Sequence, residues 1–282
     1  MTVTLNPTDD SILRESATTP QGTNPLVIIG DTTNANDFLR SAFAFDLSGA
    51  ELSGAVVNNV TLRLTADRTD ASSENADVVI DFHELTASFT NDDVTWTSRN
   101  GTDNWTTPGG DFGGVIASLT ANAATVSSGD ELDWSSAGLA SATQNAIGGS
   151  LYLIGKLNVE DSTTRNAFFF ESLSTAGAEP ELIIDFTPLF DPADVNRDGS
   201  VNSLDFNQIA GDLFKPTSEL TGNNIFSDID NSGVVDFTDF RLWKNTPQGA
   251  AFIAGLNVPE PSSIVMLCGI VIFSAGFRRR SR

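Results

Sequence analysis

The chain has very few of the residues that usually carry catalysis or covalent cross-linking. Its 282 residues include one cysteine, one histidine and one tyrosine. The single cysteine, Cys268, cannot form a disulfide within the chain, so other interactions must stabilise the fold. The sequence also lacks Gly-x-Ser-x-Gly, His-Glu-x-x-His and phosphate-loop motifs. It therefore carries none of the common signatures of serine hydrolases, zinc metalloproteases and nucleotide-binding proteins.

Basic residues are also scarce. There are 15 Lys and Arg against 37 Asp and Glu, which gives a formal net charge of −22. Such a surface repels phosphate backbones and anionic lipids, so we expect no nucleic-acid partner. The length allows one large domain and one small one.

The only histidine, His83, lies next to Glu84 in an apolar run over residues 76–85. A histidine–carboxylate pair can act as a general base with its orienting group. A strand histidine that packs or faces solvent is the commoner case. We therefore predict a non-catalytic protein, with a polysaccharide lyase or glycoside hydrolase as the alternative.

Most of the first 188 residues form short β-rich runs separated by turn residues. Several runs alternate in polarity, as where Leu62 and Leu64 share one face and Arg63 points away. The predicted strands are residues 11–16, 26–30, 41–47, 56–66, 76–85, 93–98, 149–157, 166–172 and 180–186. Helical periodicity is weak and confined to residues 139–147. This pattern predicts a β-sandwich or jelly roll over residues 1–188.

Two acidic stretches near the C-terminus share one layout. One begins at Asp194 and the other at Asp228, 34 positions later. Each has oxygen-bearing side chains at positions 1, 3, 5, 9 and 12, which is the pattern of an EF-hand-type calcium loop. Gly199 and Gly233 stand at position 6, where the loop must turn sharply. The pattern predicts one Ca²⁺ in each loop, with ordinary Asp/Asn turns as the alternative.

The predicted ligands are side-chain oxygens, with one backbone carbonyl in each loop. The first set is Asp194, Asn196, Asp198, the Ser200 carbonyl, Asn202 (directly or through water) and Asp205; the second set is Asp228, Asp230, Ser232, the Val234 carbonyl, Asp236 and Asp239. Position 12 is Asp in both loops, where the common EF-hand has Glu. The shorter side chain remains bidentate if the following helix begins closer to the ion.

An apolar helical stretch follows each loop. Phe206 and Ile209 after the first loop recur as Phe240 and Trp243 after the second. Two loop-plus-helix units with Asp at position 12 and no preceding helix resemble a type I dockerin over residues 190–246. The resemblance implies folding on calcium and docking to a cohesin-like partner.

The two loops differ at positions 10 and 11, which are Ser203-Leu204 in the first and Phe237-Thr238 in the second. The duplicated pairing expected of a cellulosomal dockerin is therefore absent. For this reason no cohesin-contacting residue is carried over from the resemblance.

The C-terminal segment 258–282 follows a predicted linker, 247–257, and has three parts. They are the triplet Pro259, Glu260 and Pro261, an apolar run over residues 264–277, and a cluster of four arginines at 278–280 and 282. The run predicts a short membrane helix with the arginines on the cytoplasmic side. These parts resemble a PEP-CTERM sorting signal, which implies an exosortase as processing partner and membrane anchoring before cleavage. A permanent anchor is the alternative.

The first ten residues have neither the basic start nor the apolar core of an export signal. We nevertheless expect export to the cell surface or the extracellular space, because the C-terminal signal is the more specific feature. The alternative is a cytoplasmic protein.

The order of local patterns over residues 3–187 is similar to the DNRLRE family, which is related to carbohydrate-binding module family 96. The matching pieces include DDSILRES, residues 40–64, residues 94–112 and a last piece that ends at Phe186. The resemblance implies a jelly-roll sandwich in an exported protein, with polysaccharide as a partner.

Trp105 lies in a polar, Gly-rich loop and is the predicted sugar-stacking residue, with Asn104 and Arg99 beside it. It could equally plug one end of the sandwich. The aromatic residues predicted to lie in the core are Trp96, Trp134 and Tyr152.

Together these features predict a mainly β protein with a jelly-roll sandwich, a small α-helical domain of two calcium loops and a C-terminal apolar helix. The predicted function is non-catalytic attachment at the cell surface or outside the cell. Polysaccharide binding by the sandwich and docking by the calcium domain would provide it. A structural matrix protein without a sugar ligand is the other alternative to an enzyme.

Overall fold

A computed structural model describes residues 1–32, 37–70, 73–160 and 165–256. The chain divides into two compact units, Met1–Leu189 and a second unit that begins at Phe190. The predicted sorting triplet, apolar run and arginine cluster lie outside the described residues. Within the described ranges, no helix is both long and apolar enough to cross a membrane.

The described part of the first unit contains eleven strands and one α-helix. The strands are β1 (Thr2–Leu5), β2 (Asp9–Arg14), β3 (Leu26–Asp31), β4 (Leu39–Asp46), β5 (Val56–Thr69), β6 (Asp77–Leu85), β7 (Phe112–Asn122), β8 (Glu131–Ser135), β9 (Ser150–Leu157), β10 (Asn166–Glu171) and β11 (Glu181–Thr187). The helix is α1 (Ala137–Ala146), and a short 3₁₀ turn spans Ala50–Leu52. Eight of the nine predicted strands coincide with β2–β6 and β9–β11, whereas β1, β7 and β8 were not predicted.

The strands form one curled antiparallel sheet in the order β1-β11-β5-β10-β3-β4-β9-β6-β7. Two further strands join it, β2 on β4 and β8 on β5. Strand β5 is 14 residues long and pairs with β11, β10 and β8, so it links the two halves of the sheet. The pairing of β5 shifts register opposite Phe169/Phe170 in β10 and opposite Asp185/Phe186 in β11, and these irregularities bend β5. At one edge, the Met1 amino group donates to the Phe186 carbonyl at 2.8 Å.

The curled sheet encloses an apolar core. Phe43, Phe82, Trp134, Phe168 and Phe170 are fully buried in it. The Trp134 indole packs edge-on against Phe82, with ring centroids 5.0 Å apart, and its Nε1–H donates to the Ile80 carbonyl at 3.1 Å. The hydrogen bond satisfies the indole N–H that burial removes from water. The prediction of Trp134 as a core residue is confirmed.

Residues 86–111, the covering segment, lie over the outer face of the sheet. Phe89, Val94, Trp96 and Trp105 are buried there in a second apolar cluster that includes residues of β2, β4 and β9. The strand predicted over residues 93–98 is wrong, because this stretch forms turns with only an isolated bridge. The hydroxyl of Thr95 accepts the N–H groups of Thr97 and Ser98, which diverts the backbone from strand pairing.

The structure corrects the sugar-stacking prediction for Trp105. Its side chain is buried beside Trp96, and its Nε1–H donates to the Thr95 carbonyl at 3.1 Å. A buried indole offers no ring face to a sugar. Trp105 therefore packs as part of the fold, as in the alternative interpretation. Trp96 is buried as predicted, with the Arg40 guanidinium 4.6 Å from its ring centroid. Tyr152 is half-buried and packs against the same cluster.

The described part of the second unit, residues 190–256, contains three short α-helices, α2 (Ser203–Asp212), α3 (Phe237–Lys244) and α4 (Pro247–Gly255). Two 3₁₀ segments, Thr217–Glu219 and Gly222–Ser227, connect α2 to the second loop. The small core is centred on Trp243, which is fully buried, and includes Val195, Ile209 and Val235.

Helix α4 corrects the prediction of a linker at residues 247–257. Thr246 caps the helix by accepting the Gly249 N–H at 3.0 Å, and Pro247 occupies the first turn. Phe252 then packs against Trp243 and Phe206, at 5.7 and 5.5 Å between ring centroids. The added helix therefore extends a core that is otherwise very small.

Truncation of Trp105 tests its place in the core. We expect Trp105→Ala to lower the free energy of unfolding by about 3–5 kcal/mol, because a large buried side chain is removed. Trp105→Phe retains most of the apolar volume and should lose much less. Urea unfolding followed by tryptophan fluorescence, with calcium present, measures both. Unchanged stability in Trp105→Ala would show that the indole is not part of the core.

Asp10 gives the first unit a defined pH dependence. Its carboxylate is buried, and burial raises its pKa to about 6; the Asp9 charge also raises this pKa, and the N–H bond from Leu173 lowers it. The folded state thus holds a proton that the unfolded chain releases at about pH 4. Stability from this group is present below pH 4 and is lost as the pH rises through 6.

We expect Asp10→Asn to remove the loss of folding stability that accompanies deprotonation of Asp10. Between pH 5 and pH 7.5, wild type should lose about 1 kcal/mol more stability than the variant. Urea titrations at both pH values test this, with the exposed Asp93→Asn as the matched control. A wild-type loss that Asp10→Asn leaves intact would place the titrating group elsewhere.

Candidate calcium sites

The first loop is organised by two buried carboxylates at its ends. Asp194 accepts the N–H groups of Asp198 and Gly199, at 3.2 and 2.9 Å. Asp205 accepts the N–H groups of Asn196 and Asn202, at 3.1 and 2.6 Å. These bonds fold the backbone back on itself around the acidic groups.

The second loop repeats these contacts position for position. Asp228 accepts the N–H groups of Ser232 and Gly233, at 3.0 and 2.8 Å. Asp239 accepts those of Asp230 and Asp236, at 3.1 and 2.7 Å. The sequence repeat of 34 residues is therefore also a structural repeat.

The loops turn through left-handed backbone at two positions each. Gly199 and Gly233 have φ of +88° and +89°, which is accessible to glycine and costly for a residue with a Cβ. Arg197 and Asn231, at position 4, have φ of +61° and +55°. The predicted need for glycine at position 6 is met in both loops.

The helix after each loop begins at position 10, with Ser203 in α2 and Phe237 in α3. Asp205 and Asp239 are the third residues of these helices and form reciprocal capping boxes with Asn202 and Asp236. The position-12 carboxylate thus lies in the first helical turn, where the helix dipole favours a negative charge.

Oxygen spacing in the second loop suits a calcium ion. Carboxylate oxygens of Asp228, Asp230 and Asp239 lie within 4.8 Å of one another. Calcium binds oxygen at 2.3–2.6 Å, so two oxygens on one ion are at most about 5 Å apart. The Ser232 hydroxyl donates to the Val234 carbonyl at 3.1 Å, which places two further predicted ligands side by side.

The first loop offers fewer carboxylate ligands to a metal ion than the second. Its three carboxylates are Asp194, Asp198 and Asp205, and amides replace the second loop's carboxylates at positions 3 and 9. The Asn196 amide donates to Asp198, and the Asn202 amide donates to the Ser200 carbonyl, each at 2.9 Å. The oxygen ligands of the first loop therefore lie close together, but they include one carboxylate fewer than those of the second loop.

The acidic groups in each loop oppose one another's ionisation. Burial raises the pKa of Asp205, and the charges of Asp194 and Asp198 raise it further, whereas backbone N–H bonds lower it. Burial also raises the pKa of Asp228, with Asp230 and Asp239 adding to the effect and N–H bonds opposing it. A divalent cation would remove this repulsion, so both loops fit a bound Ca²⁺.

Arg197 ties the first loop to the rest of the unit, which the sequence did not indicate. Its guanidinium lies 3.9 Å from the Phe226 ring centroid and 5.5 Å from that of Phe190. The Asn223 amide donates to the Asn196 carbonyl at 2.8 Å, from the segment just before the second loop. Arg197 and Asn223 therefore hold the first loop against the connection between the repeats.

The other candidate residues of the first unit lie in the covering segment and in β6. Arg99 pairs with Asp103 at 2.8 Å and Asn104 is exposed. His83 is buried in β6, where its Nδ1 lies 2.9 Å from the Gly113 carbonyl oxygen. The exposed Glu84 follows it in the strand and points to the opposite face, so the two do not form a base–orienter pair.

Residues 192–246 match the dockerin type I domain. Dockerin type I domains bind Ca²⁺ through paired EF-hand-like loops. The match spans both loops together with α2 and α3 and ends before α4. A search of curated proteins gave no match. The predictions of a dockerin type I domain and of calcium as its cofactor are confirmed.

Alanine at position 1 of each loop should separate the two binding events. We expect Asp194→Ala and Asp228→Ala each to weaken one site by at least about tenfold and to leave the other in place. The second loop should be the tighter site, because it carries one more carboxylate. Calorimetric calcium titration of the three proteins measures this. One binding event in wild type, or equal loss from both sites in either variant, would contradict it.

Proposed function

We propose that this chain is an exported protein that a calcium-loaded dockerin attaches to a cohesin-bearing partner. Dockerin domains bind cohesin partners. The observation that carries the proposal is the repeated closure of both loops by their position-1 and position-12 carboxylates. Calcium then acts as the structural element that disulfides provide in other exported domains.

Calcium dependence follows from the size of the second unit. Its described core has only six buried apolar residues, supplemented by partly buried apolar side chains. So small a core is marginal without additional stabilisation. Repulsion among the loop carboxylates opposes the fold further when no cation is bound. The docking surface should therefore be assembled only where calcium is plentiful.

Location outside the cell agrees with this requirement. Proteins that carry dockerin domains are typically extracellular or cell-surface proteins. The proposal includes sorting through the triplet at residues 259–261, with transient anchoring by the apolar run and processing by an exosortase. Its support is the order of those sequence parts. Intact-mass analysis of the exported protein, with or without residues 278–282, is the direct test.

The β unit is proposed to be a jelly roll that attaches to polysaccharide, on the basis of its DNRLRE-like sequence and its curled antiparallel sheet. With Trp105 buried, the half-buried Arg99 and the exposed Asn104 of the covering segment are the remaining candidates for sugar contact. A glycan array separates this role from that of a matrix protein. Release of unsaturated or reducing ends from a polysaccharide panel would identify an enzyme instead.

Capture by cohesin domains tests the docking proposal. We expect the full chain to bind at least one member of an immobilised cohesin panel in millimolar calcium and to dissociate in chelator. Loss of calcium removes the folded docking surface, so far-UV circular dichroism should lose helical signal in parallel. The double variant Asp194→Ala/Asp228→Ala is the matched control and should not bind. Capture that chelator leaves unchanged, or no capture by any panel member, would refute the proposal.

A further inference from the structure

Two large aromatic side chains of the second unit lie on its surface rather than in its core. Phe214 and Phe237 are 66 % and 61 % exposed, and their ring centroids are 5.5 Å apart at an interplanar angle of 81°. Val234, 41 % exposed, is bridged to Pro216 beside them. We name Phe214, Val234 and Phe237 the aromatic patch. Adjacent exposed rings give little to folding and are characteristic of binding surfaces.

The backbone holds Phe214 in a costly conformation. Its φ is +67°, in the left-handed region that bulky residues rarely adopt. The Phe214 N–H donates to the Val235 carbonyl at 2.7 Å, and the Val235 N–H donates to the Lys215 carbonyl at 3.0 Å. These bonds fix the turn that places the ring at the surface. Strained residues of this kind cluster at functional sites.

Exposed cations follow Phe237 along α3, in a unit that is otherwise acidic. Residues 190–256 contain ten Asp and Glu and only four Lys and Arg. Two of the four cations, Arg241 and Lys244, are exposed and lie one and two turns after Phe237 in α3. A third, Lys215, follows Phe214 but pairs with Asp212 at 2.9 Å. A surface with an apolar centre and a basic rim is complementary to an apolar depression bordered by carboxylates.

The internal repeat does not reproduce this surface. The residues 34 positions away from Phe237, Phe214, Arg241 and Lys244 are, respectively, Ser203, Gln248, Asn207 and Ala210. None of these is aromatic or charged. Although the backbone contacts of the two calcium loops repeat, the described part of the unit therefore has one such face and not two.

We infer that the aromatic patch and its basic rim form a single docking face for a folded protein partner. The partner presents an apolar depression bordered by carboxylates. This inference rests on the proposed function and specifies which side of the dockerin engages the partner and that only one orientation is used. Phe214 and Phe237 are the central contacts, and Arg241 and Lys244 orient the approach.

The experiment uses the full calcium-loaded chain and the cohesin domain that binds wild type most tightly in the panel. Phe214→Gly removes the ring and relieves the left-handed strain, so it should weaken docking by roughly tenfold or more without loss of thermal stability. Phe237→Ala should weaken docking to a similar extent. Leu204→Ala is the matched control, because Leu204 is also an exposed apolar residue next to a calcium loop, at 57 %. It should change affinity by less than about twofold.

Charge reversal provides a separate test of the basic rim. Arg241→Glu/Lys244→Glu should slow association and reduce its dependence on salt, because the rim acts through long-range attraction. Calcium affinity and helical signal are measured for each variant, so that loss of the fold is distinguished from loss of contact.

The outcomes separate the two proposals. If wild type binds and both phenylalanine variants bind equally well, the docking face is wrong and the docking function stands. An equal loss in Leu204→Ala would mean that both repeats engage the partner, which overturns the single orientation. If no cohesin binds wild type, the proposed function fails and the docking face fails with it.

Discussion

The fold of the second unit depends on holding several carboxylates close together in each calcium loop. In each loop, carboxylates at positions 1 and 12 are drawn inward by backbone N–H groups, and the same bonds bring those carboxylates together. Hydrogen bonding alone offsets only part of the cost of burying several carboxylates near one another. A bound Ca²⁺ would offset the remainder of that cost, so we expect the helices, the small core and the surface of the unit to depend on it.

Sequence periodicity was sufficient for the strands whose apolar residues alternate or run continuously, which is why β2–β6 and β9–β11 were predicted. Strand β7 was missed because it opens with Gly113-Gly114 and mixes small and polar residues, so no alternation marks it. Residues 93–98 of the covering segment were wrongly predicted as a strand. Its apolar residues mark burial against the outside of the sheet, and burial alone does not distinguish a strand from a series of turns.

The calcium loops were the most predictable part of the molecule, because their metal-ligating residues recur at fixed spacings along the chain. Arg197 and Phe214 could not be found in this way. Their roles depend on left-handed backbone and on contacts with Phe226 and Phe237, and neither property has a local sequence pattern. Helix α4 did have a signal, Thr246 followed by Pro247, but its reason to form is the contact of Phe252 with Trp243.

The pairing of β1 with β11 has a consequence for how the β unit can be joined to other chains. Because Met1 is bonded to Phe186, the unit's first residue lies beside the strand that ends just before the dockerin. A short linker could therefore connect the two ends, and new termini opened in a surface turn would leave every strand pair intact. The unit thus has the geometry of an interchangeable cassette, which can be permuted or inserted between other domains without changing its internal register.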